Sequence, residues 1–198
     1  MTKNNLVWHD HAVSKQQRSE IKQQKPCLIW FTGLSASGKS TVANIVEHKL
    51  HAMSRHTYLL DGDNVRQGLC SDLKFSVEDR IENIRRIGEL GKLFLDSGII
   101  TLCAFISPFI SDRKIVRELL AEDEFIEVFM DTSLTECERR DPKGMYQKAR
   151  AGTIKSFTGI DSPYQAPVNA EIHLNGDAHT AETLANQVIA YLQAHHYC

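Results

Sequence analysis

Gly33, Gly38, Lys39 and Ser40, in the stretch FTGLSASGKST, have the spacing G-x-x-x-x-G-K-[ST], which suits the cradling of a nucleotide's phosphates. Glycines let successive backbone N–H groups converge on phosphate oxygens, and a helix starting at the lysine adds partial positive charge. Leu34, Ser35, Ala36 and Ser37 fill the loop and Thr41 follows it. Lys39 is expected to reach the β- and γ-phosphates, and the Ser40 hydroxyl to ligate the Mg2+ that accompanies ATP. Asp61 and Asp63, in LLDGDNVRQGL, are candidates for the acceptor side. One carboxylate can orient a hydroxyl and take its proton while the other holds the metal through water, although DGDN alone is also an ordinary Asx turn. Downstream, Arg66, Phe75, Arg80 and Asn83 form a mixed basic, aromatic and polar set. Arg80 and Asn83 fall on adjoining turns of one helix face, so both can meet one ligand.

The elements that must position these residues are legible as alternating periods. CLIWFT, HTYLL, IITLCAF, FIEVFMD and AEIHLNG read as short strands. Between and after them, KSTVANIVEHKLHAM, SVEDRIENIRRIGELGKLFLDSG, SDRKIVRELLAE and TAETLANQVIAYLQAHH read as helices. The second of these carries Val77, Ile81, Ile84, Ile87, Leu90 and Phe94 at helical spacing and is expected to stop at Gly98. Alternating strands and helices predict an α/β fold with a parallel sheet of about five strands covered on both faces, its ligands at the strands' carboxyl ends. From Arg139 to Pro167 the chain is basic, punctuated by Gly and Pro, and without a sustained period, so a long loop or lid is expected there.

Length and charge narrow the class. A chain of 198 residues with 42% hydrophobic content is expected to form a single domain, 1–198, with about 1–25 as an N-terminal leader. A net charge of −2 without a basic stripe argues against nucleic acid as the main partner. No apolar run approaches a membrane span and the polar N-terminus lacks a secretory centre, so a cytoplasmic protein is expected. The five cysteines are widely spaced without a C-x-x-C pair, which fits reduced thiols, and the nine histidines form no metal-ligand pattern. His9 and His11 read as a solvated pair in the leader.

The run FTGLSASGKST, then LDGDNVRQGL, FSVEDRIENIRRIGELGKLFLDSG, FISPF and RDPKGMYQKARAGTIKSFTGIDSPYQAP, with the early VWHDHAV, resembles the adenylylsulfate kinase (APS kinase) family in order and over nearly the whole chain. The resemblance implies a P-loop NTPase three-layer fold with a basic lid at about 139–167. It implies the stand-alone kinase of sulfate assimilation, a homodimer, which phosphorylates the 3′-hydroxyl of adenylyl sulfate with MgATP to give 3′-phosphoadenylyl sulfate and ADP. By position, it implies that Asp63 engages the 3′-hydroxyl and that Asp61 supports the metal and the loop. Arg66, Arg80 and Asn83 would bind the phosphosulfate and ribose, and Phe75 and Phe157 would sandwich the adenine. Ile106 and Ser107 would line the same pocket. Arg140, Asp141, Lys143 and Gly144 would open the lid, with Arg140 on the ATP side and Lys143 neutralising charge shared by the two substrates. Departures from the family pattern, in KGMYQKAR and CERRDPKG, concern lid packing, and Ala36 stands where a Gly is sometimes found.

Two other readings stand beside this one. A small-molecule kinase of the same fold would act on a nucleoside or sugar without adenylyl sulfate. A nucleotide switch would want a base-recognition motif such as N-K-x-D, which the sequence lacks. Family descriptions make the serine at 107 a phosphorylated intermediate. A serine carrier needs an activating base, and AFISPFISD places no His or Lys immediately before it, so direct transfer is expected.

Overall fold

Leu28–Thr32, five consecutive buried residues, form the strand around which the molecule is built. The computed structural model describes Val7, His9 and residues 11–198; Trp8 and Asp10 of VWHDHAV, and residues 1–6 of the expected leader, lie outside the described residues. The helices are α1 (Lys15–Lys22), α2 (Lys39–Ala52), α3 (Gly62–Val65), α4 (Val77–Asp96), α5 (Ile110–Glu118), α6 (Leu134–Arg140), α7 (Met145–Arg150) and α8 (Ala181–Ala194). The strands are β1 (Leu28–Thr32), β2 (Thr57–Asp61), β3 (Ile100–Ala104), β4 (Phe125–Asp131) and β5 (Ile172–Asn175). They form one sheet in the order β2-β3-β1-β4-β5, every neighbouring pair parallel.

Because side chains alternate across a strand, β1 feeds two cores. Ile29 and Phe31 pack with Val42 and Val46 of α2 and Leu184 and Val188 of α8. Leu28 and Trp30 pack with Ile84 and Ile87 of α4 and Val116 of α5. The result is the expected sheet flanked by helices on both faces, consistent with the P-loop NTPase fold. All five strands end on one side. There the chain leaves β1 for α2 between strands that diverge to either hand, the switch point at which such sheets bind ligands.

Some expectations need correction. Helix α4 begins as predicted, with the Ser76 hydroxyl accepting from the Asp79 N–H at 3.1 Å. Val77 and Ile81, however, are 49% and 39% exposed, so its buried stripe begins only at Ile84. Gly98 ends the helix as expected: its φ is +82°, and a Cβ there would lie 3.1 Å from the Arg18 backbone. That contact belongs to α1, which occupies part of the segment expected as a leader. Ser14 and Gln17 form a reciprocal capping box, Arg18 pairs with Asp96 at 2.6 Å, and Gln24 donates to Gly98 O at 2.8 Å. The segment expected as an irregular lid holds α7, and its Tyr146, Ala149 and Phe157 are buried in a small core shared with Cys137 of α6.

Candidate active site

The loop between β1 and α2 is shaped by where its carbonyls go. Leu34 O accepts from Lys39 Nζ at 2.6 Å, Ser35 O from the Tyr146 hydroxyl at 3.0 Å, and Ser37 O from Thr132 Oγ1 at 2.9 Å. The N–H groups of Ala36, Gly38, Lys39 and Ser40 have no acceptor among the described residues. Unpaired amides at a helix start form a nest for an anion. Gly33 permits the tight entry, since a Cβ there would lie 2.7 Å from Met130 O. Ala36 sits at φ +59°, which explains why glycine suits this place. Thr41 lies exposed on the first turn of α2.

Lys39 is 7% exposed, and burial pushes its ammonium down to about 8, against an upward pull from Cys137, Asp61 and Asp63. Since the unfolded lysine holds its proton to higher pH, this burial costs stability at neutral pH; the cost begins to shrink as pH rises past about 8 and is gone only above the unfolded lysine's value. Phosphate binding needs the charged form. The kcat/KM for MgATP should therefore fall about tenfold per pH unit above about 8, while the kcat limb lies higher because bound triphosphate holds the proton. Parallel pH profiles of the two parameters check this; coincident limbs in the ordinary lysine range would contradict it.

At the carboxyl end of β2, Asp61 caps α3: its Oδ1 accepts from the Asp63 N–H at 3.0 Å and its Oδ2 from Ser40 Oγ at 2.6 Å. This hydroxyl and carboxylate oxygen are the hard ligands Mg2+ takes. Among the described residues no cluster of three or more His, Cys, Asp or Glu side chains could hold an ion unaided. The pair thus fits a metal that arrives with phosphates. Asp63 is differently placed. Its side chain is 67% exposed and pairs with Lys143, itself 65% exposed, which brings the lid to the β2 end.

The acceptor candidates split into two layers. The Arg66 guanidinium lies 4.7 Å from the centre of the exposed Phe75 ring and donates to Lys74 O. Arg80 donates to Phe75 O at 3.1 Å, to Thr158 Oγ1 at 2.9 Å and to Ser156 O, so it ties the Phe75 loop to the Phe157 loop. Neither arginine forms an ion pair among the described residues, and burial and the nearby Arg66 press down the proton affinity of Arg80. The Asp161 carboxylate pulls the other way but bonds to neither arginine, so two neighbouring guanidiniums remain suited to an anion. Asn83 is 3% exposed and its Oδ1 has no partner among the described residues, an orphaned atom of the kind a ligand satisfies. Phe157 is 8% exposed, packed edge-on against Tyr146.

Ser107 is 1% exposed and its hydroxyl is occupied: it accepts from Trp30 Nε1 at 3.0 Å and donates to Thr32 Oγ1 at 3.0 Å. Ile106 presents its carbonyl to Thr32 Oγ1 at 2.8 Å. Ser107→Ala would leave the buried Trp30 N–H unmatched, at a cost of about 1–3 kcal/mol. A phosphoryl carrier would lose nearly all turnover on the same change, whereas this arrangement predicts a kcat within about tenfold of wild type. Denaturant unfolding and kcat measured on the same preparation distinguish the two.

Arg140 braces the phosphate loop from outside, donating to Glu136 at 2.8 Å, Gly176 O at 2.7 Å and Ser37 O at 3.3 Å. Several positioning residues escape sequence reasoning. Arg113, 3% exposed, pairs with Glu127 at 2.6 Å and donates to Ser107 O at 2.7 Å and Gln165 O at 2.8 Å. The Asp161 carboxylate takes the N–H groups of Ser156 and Phe157. Asp161 had a local signal, an acid beside a Gly-containing turn in FTGID; Arg113 and Tyr146 had none.

Residues 25–175 match the family model described as adenylylsulphate kinase. The chain is 62% identical over 189 residues, 96% of its length and 95% of the relative's, to the adenylyl-sulfate kinase of Marinobacter nauticus. It is 61% identical over 188 residues, 95% of its length and 91% of the relative's, to that of Vibrio vulnificus. Among solved structures it resembles the Mycobacterium tuberculosis APS kinase CysC in complex with AMPPNP and APS, with a TM-score of 0.83 and 48% identity over 86% of this chain and 99% of that one.

Proposed function

The chain belongs to the adenylylsulphate kinase family, and from that premise we propose how its residues divide the work. It transfers the γ-phosphoryl group of ATP to adenylyl sulfate, giving 3′-phosphoadenylyl sulfate and ADP in sulfate assimilation. The free amides from Ala36 to Ser40 and the Lys39 ammonium hold the triphosphate. Ser40 and Asp61 would hold Mg2+, which would supply charge neutralisation at the phosphates. Arg66, Arg80 and Asn83 take the phosphosulfate and ribose of the acceptor, Phe75 and Phe157 its adenine. Asp63 orients the 3′-hydroxyl and accepts its proton, and Lys143 exchanges its pairing with Asp63 for the charge between the substrates. Transfer is direct and in line, because Asp63 is the exposed carboxylate beside the loop while the Ser107 hydroxyl is buried and engaged.

The observation that carries the reading is the pair Arg66 and Arg80, close enough to repel and in no ion pair among the described residues, the nearby Asp161 carboxylate being taken by the Ser156 and Phe157 N–H groups. A sugar or nucleoside acceptor would leave that charge unanswered. Incubation with MgATP and a panel of acceptors is expected to release ADP with adenylyl sulfate far faster than with adenosine or a hexose; equal rates across the panel would overturn the reading. We also read residues about 1–198 as one catalytic domain with the lid at about 139–167, acting in the cytoplasm as a homodimer. Support for the dimer comes from Tyr58 and Leu93, which lie 51% and 64% exposed on edge strand β2 and α4. No helix among the described residues is long and apolar enough to cross a membrane.

A further inference from the structure

The phosphate loop and the acceptor's base pocket meet in one small buried cluster. Leu34 and Ala36 of the loop pack against Cys137 of α6, Tyr146 of α7 and Phe157. Tyr146 is its centre. The residue is 2% exposed, its hydroxyl donates to Ser35 O at 3.0 Å, and its ring meets Phe157 edge-on, with centroids 5.0 Å apart at 78°. A second contact runs in parallel, since a Cβ on Gly159 would lie 3.0 Å from Leu34 Cδ2. Burial pushes the phenol's proton affinity up, further from physiological pH, where the hydroxyl is a donor in any case.

We propose that Tyr146 is a positioning residue that couples the two substrate sites, holding the Ser35 peptide in its phosphate-binding orientation through its hydroxyl and the Phe157 ring in its base-stacking orientation through its edge. The proposal rests on the assignment of Phe157 to the acceptor's adenine. Its physical basis is shared ordering. A triphosphate in the loop fixes the Ser35 peptide and with it the Tyr146 hydroxyl; the ring is then already placed when the acceptor's base arrives, so less freedom remains to be lost. By linkage, the acceptor must tighten the nucleotide by the same factor.

Tyr146→Phe removes the hydroxyl and keeps the ring. Calorimetric titration of adenylyl sulfate with and without AMPPNP, and of AMPPNP with and without adenylyl sulfate, measures the coupling in both directions. The wild type is expected to show mutual tightening of at least about fivefold. In Tyr146→Phe that factor should fall below about two, while adenylyl sulfate alone binds as in the wild type and the unfolding midpoint stays close to it. An unchanged coupling factor in the variant, or no coupling in the wild type, overturns the proposal. Should Tyr146→Phe not fold, Leu34→Ala removes the parallel contact and must reduce the coupling in its place; unchanged coupling there is equally contrary. Failure of the wild type to bind adenylyl sulfate at all would instead overturn the acceptor assignment.

Discussion

Lys39→Ala is expected to abolish phosphoryl transfer, with kcat/KM for MgATP falling about a thousandfold or more. The Lys39 ammonium is the buried cation at the mouth of the nest, donating to Leu34 O at 2.6 Å and lying 3.4 Å from Ser37 Oγ. Arg140 cannot replace it, because its guanidinium is spent on Glu136, Gly176 O and Ser37 O. Stability should not suffer in proportion. Burial opposes the lysine's charge, and alanine is the best helix former at the start of α2. Steady-state kinetics with a denaturant midpoint on the same sample check both halves. Wild-type turnover would mean that the loop does not hold the donor.

Asp63→Asn should lower kcat by about a hundred- to ten-thousandfold, with little change in KM for ATP. Asn keeps the shape but cannot take the acceptor's proton. Asp61 cannot stand in, since one of its oxygens caps α3 and the other receives Ser40 Oγ. Losing the exposed pair with Lys143 costs little stability, because such pairs contribute about 0–1 kcal/mol. A single-turnover assay separates the chemical step from product release. A chemical step as fast as the wild type's would remove Asp63 from the reaction.

What the sequence made legible is what is local in it. The phosphate loop spans a few consecutive residues, so its spacing could be read directly, and the buried runs of β1 and β3 announce their strands. Helix α7, with six residues, is too short to display a period, and no α1 residue is buried, so neither left a hydrophobic signature. Val77 and Ile81 match the helical spacing but lie beyond the reach of the sheet, which periodicity cannot reveal. Residue type and helical spacing singled out Arg66, Phe75, Arg80 and Asn83, but their division among base, ribose and phosphosulfate came from family resemblance. Their environments are tertiary: Arg80 bridges to residues 76 and 78 positions along the chain, and Tyr146 reaches Ser35 across 111. Ser107 shows the same limit. Its neighbours in sequence say nothing of Trp30 and Thr32, which occupy its hydroxyl from β1.

The central claim is that the γ-phosphoryl group passes from ATP to the 3′-hydroxyl of adenylyl sulfate in one displacement, with Asp63 orienting the acceptor and Ser107 buried outside the path. The stereochemistry at phosphorus tests it most directly. With ATP made chiral at the γ-phosphorus by oxygen isotopes, a single in-line displacement inverts configuration in the 3′-phosphoryl product, and inversion is the expected result. Net retention, accompanied by a phosphoserine at Ser107 that passes its phosphoryl group to adenylyl sulfate at the turnover rate, would contradict the account.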